Sequence, residues 1–231
     1  MPVPLVLGAP AAGAALVAAA EWTLAACVTG LVAVGIMEGT KDTTADDIEI
    51  KPKKPKTRTE EEIENDINIG KAKSKARIEE IEKSGALSRS TEKCNSCPAS
   101  TGIAKNESRN FGDPINLKYQ VYITKAPFGS GWVQEWDYVS VSFDGFQPPS
   151  CLLQETKGAY DQFFIAEGML KKFYSGVRGT IQQAHTQSFV VELTPPNKLA
   201  WYFMERLSFM YFKKLFKEDG LIMSVYHVPM V

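Results

Sequence analysis

The chain has 231 residues, of which 44% are hydrophobic and 23% are charged. Such a composition is typical of globular domains and excludes a wholly disordered chain, a collagen and a polytopic membrane protein. The 26 Lys and Arg residues nearly balance the 27 Asp and Glu residues, which argues against a cationic DNA-coating protein. Four cysteines are too few for a disulfide-built scaffold of this length, so the fold must depend on an apolar core.

Three regions of different composition follow one another along the chain. The first, residues 1–40, is hydrophobic and rich in Ala and Gly, and Glu21 is its only charged residue between positions 3 and 37. The second, residues 41–93, is dense in charges of both signs. The third, residues 94–231, has the mixed, aromatic-bearing composition of a folded domain, and we expect the chemistry there.

The hydrophobic region is long enough to span a membrane, since a spanning helix needs about 20 apolar residues. No Lys or Arg precedes Lys41, so the basic start of a secretory signal is missing. A hairpin of two helices over residues 11–26 and 28–37 fits the pattern. Three interpretations remain: a segment that meets a membrane or a chaperone, a helix packed on its own domain or on a second copy, and a cleaved signal.

The charged region begins as a tether and continues as a helix-forming stretch. The prolines and mutually repelling lysines of Lys51-Pro-Lys-Lys-Pro-Lys56 are incompatible with regular structure. Glu60–Lys83 has helix-forming composition but only a thin stripe of isoleucines. We expect a solvated helix or a disordered linker, the alternative being a basic cluster that touches nucleic acid or anionic lipid.

A predicted hairpin opens the chemically interesting part of the third region. Residues 138–143 alternate apolar and small polar side chains, which predicts a strand. Residues 144–150 are rich in turn-forming types, and residues 151–157 predict a second strand that Gly158 stops.

Two carboxylates and a lysine would meet on this hairpin. Asp144 ends the first strand, while Glu155 and Lys157 lie two apart and share one face of the second. Two carboxylates on adjoining strands can hold Mg²⁺, with waters and a backbone carbonyl completing its shell. The cation would polarise a phosphoryl oxygen and the lysine would stabilise developing charge, as phosphodiester hydrolysis requires. The alternative is a solvated strand face with no chemistry.

The rest of the third region predicts an α/β fold, a mixed sheet flanked by helices. In the last helix, we expect Leu207, Met210, Tyr211 and Leu215 to point inward. The predicted elements, in chain order, are a helix over residues 159–174, a helix over 180–190, a buried strand over 199–204, a helix over 206–217 and a closing strand over 221–228.

Weaker candidate sites lie outside the hairpin. Cys94 and Cys97 could supply half of the ligands of a zinc site, but no matching second pair is present. The alternative is a disulfide or two unreactive thiols. Gln182 would orient the lysine or a water if its helix packs back on the second strand. His185 would contact a phosphate or act as a base, or else be a polar residue at a helix edge.

The spacing of these residues resembles a known nuclease pattern. Asp144, ten intervening residues and then Glu155-Thr-Lys157 are similar to the PD-(D/E)xK pattern, although Phe143 stands at its proline position. Between roughly Cys94 and Val231, the chain resembles the fifth restriction-endonuclease-fold toxin family of bacterial polymorphic toxins. The strings that carry the resemblance are Glu135-Trp136, Phe143-Asp-Gly-Phe146, Cys151, Glu155-Thr-Lys-Gly158 and Tyr160-Asp-Gln-Phe163.

The resemblance implies specific roles for residues of the hairpin. Asp144 and Glu155 would hold Mg²⁺ or Mn²⁺, Lys157 would be the catalytic lysine, and Glu135 would add a third carboxylate. The implied activity is that of a metal-dependent endonuclease acting on DNA, with RNA as the alternative substrate.

The resemblance also implies a biological setting. The protein would be an antibacterial effector similar to those of type VI secretion, made in the bacterial cytoplasm and secreted into the cytoplasm of a target cell. Its expected partners are DNA, a cognate immunity protein, a secretion chaperone or spike protein and a second copy of itself, with transient membrane contact through residues 3–37. The alternative is a membrane-acting toxin or a secretion-spike adaptor whose C-terminal domain does no chemistry.

Overall fold

The described part of the chain is residues 57–91, 97–108 and 114–230 of a computed structural model, and it contains five α-helices and ten strands. The predicted helical hairpin of residues 1–40, the Lys/Pro tether and Cys94 lie outside it. The helices are α1 (Glu60–Lys83), α2 (Ala86–Thr91), α3 (Pro114–Thr124), α4 (Val177–Leu193) and α5 (Arg206–Glu218). The strands are β1 (Ile103–Ser108), β2 (Phe128–Gly129), β3 (Trp132–Tyr138), β4 (Val141–Phe143), β5 (Gly145–Gln147), β6 (Leu152–Lys157), β7 (Phe164–Ala166), β8 (Met169–Leu170), β9 (Lys198–Phe203) and β10 (Ser224–His227).

The strand that carries Glu155 and Lys157 lies inside a four-stranded sheet of order β10-β9-β6-β5. β6 pairs antiparallel with β5 and parallel with β9, and β9 pairs parallel with β10. A second sheet is centred on β3, which pairs with β1, β2 and β4. The predicted mixed α/β architecture with flanking helices is therefore confirmed.

Aromatic rings fix α5 against β9, the direct neighbour of β6. Phe203 stacks on Phe212 with ring centroids 5.6 Å apart, and Trp201 meets Phe216 edge-on at 5.0 Å. Each such pair contributes about 0.5–1.5 kcal/mol beyond the burial of its surface. The four rings are fully buried, so they hold β9 and thereby the position of β6.

The buried face of α5 differs from the predicted one. Met210 was expected inward, but it is 39% exposed. The other three predicted inward residues are only partly buried, because the larger rings of Phe212 and Phe216 occupy the space against β9. The buried positions of α5 are Ser208, Phe212 and Phe216.

The predicted strand over residues 138–143 is wrong, because the chain reverses within it. β3 ends at Tyr138, which pairs with Val141 of β4 across a two-residue turn. Val139 and Ser140 have φ of 54° and 59°, the left-handed conformation that such a turn requires and that a β-branched residue rarely adopts. Apolar and polar residues alternate straight through the turn, so the sequence pattern does not reveal it.

The predicted helix over residues 159–174 is also wrong. This stretch contains a 3₁₀ turn at Asp161–Phe163 and the hairpin β7–β8, in which Gly168 has a φ of 73°. Arg58 donates its backbone N–H to the Leu170 carbonyl, so residues that precede α1 hold this hairpin. Because that partner is more than 100 positions away, helical spacing of apolar residues could not reveal it.

Asp161, within one of the family-like strings, has a structural role. Its carboxylate accepts hydrogen bonds from the backbone N–H groups of Leu207 and Ser208, at 2.9 and 2.7 Å. These are donors that the first turn of a helix leaves without partners. Asp161 therefore caps α5 from a distant loop.

α1 is present with the predicted bounds, and it is packed rather than solvated. It begins with a capping box in which Thr59 and Glu62 satisfy each other's backbone N–H groups. Ser74 shares a hydrogen bond with Thr186 of α4 at 3.2 Å, and Ile81 is fully buried. A Cβ on Gly70 would lie 2.6 Å from the Arg178 carbonyl oxygen, so the two helices approach closely there.

A buried carboxylate also joins α1 to the rest of the chain. Asp66 is only 1% exposed and forms ion pairs with Arg58 and Arg178. Burial of Asp66 opposes its charged form, yet the hydrogen bonds from Arg178 and Arg58 lower its pKa overall. The described residues, from position 57 onward, accordingly belong to one compact unit. Within its described residues, no helix combines the length and hydropathy needed to cross a membrane.

A disulfide joins Cys97 to Cys151, the residue that precedes β6. Both residues are buried, and Asn197 Oδ1 lies beside them while accepting a hydrogen bond from the Ala99 N–H at 3.0 Å. Cys97 is therefore not a zinc ligand. The bridge closes a loop across 54 positions, and a constraint of this kind typically contributes about 2–4 kcal/mol to stability.

We predict that the domain needs α1 to fold. A fragment of residues 57–231 should unfold cooperatively in urea, whereas a fragment of residues 94–231 should lose that transition because it exposes the α4 surface and leaves Arg178 without Asp66. Circular dichroism across a urea gradient measures both fragments. Equal unfolding midpoints would contradict the prediction.

A matched pair of glycine variants checks the same packing in the full chain. Gly70→Ala should lower the free energy of unfolding by about 1–3 kcal/mol, because its Cβ would collide with the Arg178 carbonyl. Gly179→Ala on α4 should be neutral or stabilising by up to about 1 kcal/mol, since a Cβ there meets nothing within 4 Å.

Candidate active site

Three carboxylates form a row across neighbouring strands. Trp136 of β3 pairs with Phe143, and Gly145 pairs with Gln154 of β6. Continuing each register by one residue sets Asp144 opposite Glu135 on one side and opposite Glu155 on the other. All three are at most 7% exposed, so the row lies inside the protein.

Lys157 is the cation beside this row. Its Nζ donates to Glu155 Oε1 at 2.6 Å, which confirms that the two side chains share one face of β6. It also lies 4.7 Å from the centre of the Trp201 ring, within the range of a cation–π interaction. Burial is the largest influence on the pKa of Lys157 and acts to lower it, but the negative charge and hydrogen bond of Glu155, together with Tyr160 and Asp144, outweigh burial and raise the pKa, so the ammonium stays protonated at neutral pH.

α4 holds Glu155 through Gln187. The Gln187 amide donates to Glu155 Oε2 at 2.8 Å and to the Ser142 carbonyl at 3.0 Å. Its own oxygen accepts the Trp201 indole N–H at 2.9 Å. Because Gln187 is fully buried and bonded at both ends, it fixes the orientation of Glu155 relative to β4 and β9.

Asp144 is held from the opposite side by β6. Its Oδ2 accepts the backbone N–H of Thr156 at 2.7 Å and the hydroxyl of the same residue. Burial and then the charge of Glu155 raise the pKa of Asp144 to about 7, although Lys157 and the Thr156 hydroxyl act to lower it. Glu135 raises it further by a smaller amount. Crowded carboxylates thus make this region electrostatically unfavourable unless a proton or a cation is present.

Glu135 lies on β3 next to Ser142 of β4. The Ser142 hydroxyl donates to Glu135 Oε2 at 2.6 Å. Asp144, Glu155 and Lys157 are therefore brought together as the hairpin prediction required, even though the strand boundaries around them differ, and Glu135, which the resemblance added, lies beside them.

Gln182 and His185 lie elsewhere. The glutamine that contacts the lysine is Gln183, whose Oε1 accepts from Lys157 Nζ at 2.8 Å. One step along a helix turns a side chain by about 100°, which separates Gln182 from this contact. His185 pairs at 2.8 Å with Asp219, the residue that follows α5, and not with a member of the carboxylate row.

Sequence reasoning missed Gln183 and Gln187, although a signal was available. The two residues are four apart within the predicted helix, so they share one face. An amide at each of these positions can bind a carboxylate or an ammonium on the strand below. Only the packing of α4 shows that this face is the one that covers β6.

Comparison with known protein families agrees with the resemblance. Residues 116–206 match the family described as restriction endonuclease fold toxin 5. The match is shorter than the predicted 94–231, but it includes the cluster of Glu135, Asp144, Glu155 and Lys157. The resemblance is therefore confirmed over residues 116–206. It indicates a nuclease toxin. No curated protein sequence matches the chain.

The donor set at Asp144 and Glu155 fits a hard divalent cation. Mg²⁺ is commonly held by one or two carboxylates with waters completing its shell. Among the described residues, no group of three or more His, Cys, Asp or Glu side chains is placed to hold a metal. The raised pKa of Asp144 supplies the physical reason for a cation here, since a positive charge would relieve the repulsion between the carboxylates.

We predict that Asp144 makes stability depend on pH. Its pKa is about 7 when folded and near 3.8 when unfolded, so between these values the folded state binds the additional proton. Stability should therefore fall as the pH rises from about 4 to about 7. Asp144→Asn should flatten this dependence and be more stable than the natural protein at pH 8 in chelator, as urea unfolding measures.

A divalent cation should restore, at pH 8, the stability that ionisation of Asp144 removes. Mg²⁺ or Mn²⁺ should raise the melting temperature of the natural protein, because a ligand bound only by the folded state stabilises it. It should not raise that of Asp144→Asn. The control is Asp137→Asn on β3, which removes one charge outside the cluster. Identical pH slopes and metal responses in all three proteins would contradict the assignment.

Proposed function

We propose that the chain, whose residues 116–206 match restriction endonuclease fold toxin 5, is an antibacterial secreted toxin that hydrolyses phosphodiester bonds in the DNA of a target cell. One observation carries the proposal. A buried Glu155–Lys157 pair, held by two glutamines of α4, lies beside the carboxylate of Asp144. Burying such a group is costly, and groups of this kind concentrate at functional sites, where phosphodiester hydrolysis can use both the carboxylates and the lysine.

In this mechanism Lys157 is the stabiliser of developing negative charge. Its raised pKa makes it a poor proton acceptor at neutral pH but a permanent donor. The ammonium has three N–H donors, of which Glu155 and Gln183 take two. A fixed donor aimed at a phosphoryl oxygen in a dry site is worth more than the same donor in water.

Asp144 and Glu155 would hold Mg²⁺ or Mn²⁺. When bound, such a cation polarises a phosphoryl oxygen and lowers the pKa of a bound water. Gln187 keeps Glu155 in orientation, the Thr156 N–H and hydroxyl keep Asp144 in orientation, and Glu135 adds negative charge from β3. The site is therefore organised before any substrate arrives.

The substrate in this proposal is duplex DNA. RNA is the alternative, and the two are distinguished by incubating equal enzyme with supercoiled plasmid and with ribosomal RNA. Faster loss of plasmid supports DNA as the target, and comparable loss of both would overturn that preference.

Delivery and protection complete the proposed setting. The toxin is made in the bacterial cytoplasm, carried by a chaperone or a secretion spike protein in the manner of type VI effectors, and acts in the target cytoplasm. In the producing cell, a cognate immunity protein blocks access to the site formed by Asp144, Glu155 and Lys157. A homodimer would place two sites on one duplex, and residues 3–37 would make transient membrane contact during entry.

Removing the charges of the cluster should abolish cleavage. Glu155→Gln and Lys157→Met should each lower the rate of plasmid nicking in Mg²⁺ by about 10²–10³, the usual effect of losing one transition-state stabiliser. Chelator should abolish nicking by the natural protein. Plasmid conversion on agarose gels measures both effects.

A double variant and a surface variant serve as controls. Each single change leaves an uncompensated buried charge, which destabilises a protein by about 3–5 kcal/mol. Glu155→Gln combined with Lys157→Met removes both charges, so it should remain folded and inactive. Glu192→Gln, at an exposed position of α4, should cleave normally. Normal cleavage by a folded Glu155→Gln protein would contradict the assignment of this site to a nuclease.

The hydrophobic region should matter for delivery alone. Deleting residues 1–40 should leave cleavage of purified DNA unchanged, because the proposed site lies wholly beyond them, and should abolish killing of neighbouring cells in co-culture. Loss of cleavage by the folded, truncated protein would show instead that this region belongs to the active assembly.

A further inference from the structure

A cavity of about 270 Å³ lies between α1, α4 and the β3–β4 turn. Its lining includes Arg77 of α1, Ser140 and Ser142 of the β3–β4 hairpin, and Gly179 and Gln183 of α4. Arg77 carries the only charge among these lining residues, and the other side chains are mostly polar. We propose that this cavity binds a backbone phosphate of the nucleic-acid substrate, with Arg77 as its anchor; this builds on the proposed nuclease function.

Two residues of the cavity wall also touch the catalytic cluster. Gln183 accepts from Lys157 Nζ at 2.8 Å, and the Ser142 hydroxyl donates to Glu135 at 2.6 Å. A group bound in the cavity is thus separated from the lysine and from the carboxylates by one side chain. That separation suits a phosphate next to the scissile one, since successive phosphates of one strand are several ångströms apart.

Arg77 occupies an unusual position for a charged residue. It lies on the side of α1 that meets α4, in helical register with Gly70, Ser74 and Ile81, which pack closely or are buried. Its side chain is nevertheless 39% exposed, because the seam opens into the cavity there. A guanidinium at this point presents several donors in a fixed fork, the geometry that suits phosphate oxygens.

The present contacts of Arg77 leave it able to bind a phosphate. One nitrogen donates to the Ser140 carbonyl at 2.6 Å, which aims the side chain, and another donates to Glu80 at 2.8 Å. The Glu80 carboxylate is 66% exposed, so this ion pair is screened by water and contributes little. A phosphate dianion or diester in the cavity can replace it without leaving a buried charge.

The turn that contains Ser140 forms part of the cavity wall, and its backbone conformation supports a functional role for this part of the cavity. Val139 and Ser140 both have positive φ, and such conformations persist where the surrounding structure holds them in place. Arg77 is one of the groups that hold this turn, through the Ser140 carbonyl. If that were its whole role, removing it would lower stability without altering nucleic-acid binding.

Binding and salt dependence separate these two roles. The probe is a fluorescent duplex oligonucleotide, titrated into the full chain in the cleavage-deficient background of Glu155→Gln combined with Lys157→Met, which removes both buried charges and should remain folded. Arg77→Gln should weaken binding about 10- to 100-fold, the loss of one hydrogen bond to a charged group. It should also lower the slope of log affinity against log salt by about 0.9, the value of one phosphate contact. In the cleaving protein, KM should rise while kcat changes little.

Two matched controls accompany this variant. Arg77→Lys should retain the salt slope with a smaller loss of affinity, because the charge remains and the fork is lost. Lys75→Gln removes the same charge from an exposed position of α1 and should change neither quantity. Equal losses in Arg77→Gln and Lys75→Gln would overturn the proposal, since they would reflect net charge alone.

A steric variant tests the cavity independently of charge. Gly179 lies in α4, and a Cβ there meets nothing within 4 Å, so Gly179→Phe fills the cavity without disturbing the core. It should abolish duplex binding in a folded protein, whereas Gly179→Ala should bind normally. Wild-type binding by Gly179→Phe would overturn the proposal.

The outcomes distinguish failure of this site from failure of the nuclease assignment. Suppose that the natural protein cleaves and that Glu155→Gln does not. If Arg77→Gln and Gly179→Phe then both bind and cleave normally, the phosphate site at Arg77 is wrong and the nuclease assignment is retained. If the natural protein neither binds nor cleaves nucleic acid, both fail. Lowered stability of Arg77→Gln with unchanged affinity would assign Arg77 to the turn and overturn the phosphate site.

Discussion

A buried ion pair sets the requirements for the rest of the fold. Glu155 and Lys157 lose most of their hydration on β6, and their attraction repays that loss only if the remaining oxygens and N–H groups find partners. Gln183 and Gln187 supply those partners, so α4 must lie over β6 in one orientation. Trp201 then has to meet both Lys157 and Gln187, which fixes β9 as well.

α1 extends this chain of constraints beyond the part of the sequence that matches the toxin family. It packs on the outer side of α4 through close contacts at Gly70 and Ser74, and Asp66 binds Arg178 at the beginning of α4. The helix that orients Glu155 and Lys157 is therefore itself supported from outside the matched residues 116–206. The same support places Arg77 at the edge of the site, so one helix serves both stability and the proposed binding of substrate.

The carboxylates show how function opposes stability within this framework. Asp144 has a raised pKa because burial and Glu155 disfavour its charge, and nothing in the apolar core gains from that arrangement. Such a cost is usual where a protein prepares a site for a cation or for a reacting phosphate. Phe212 and Phe216 of α5 pack on β9 on the face of the sheet that carries Glu155 and Lys157. This aromatic packing supplies stability that offsets the cost of the crowded carboxylates.

β6, α4, β9 and α5 could be predicted from the sequence to within a few residues, because their local patterns are clear and Gly or Pro bounds them. The shared face of Glu155 and Lys157 could be predicted too, since alternation along a strand is local geometry. The fold had to show that residues 138–143 contain a turn, that residues 159–174 form a hairpin held by Arg58, and that Gln183 rather than Gln182 meets Lys157. The turn at Val139 and Ser140 is local, but apolar and polar residues alternate straight through it and hide it. The hairpin and the Gln183 contact each depend on a partner far away in the chain, and no local pattern records which face of an element a distant segment will cover.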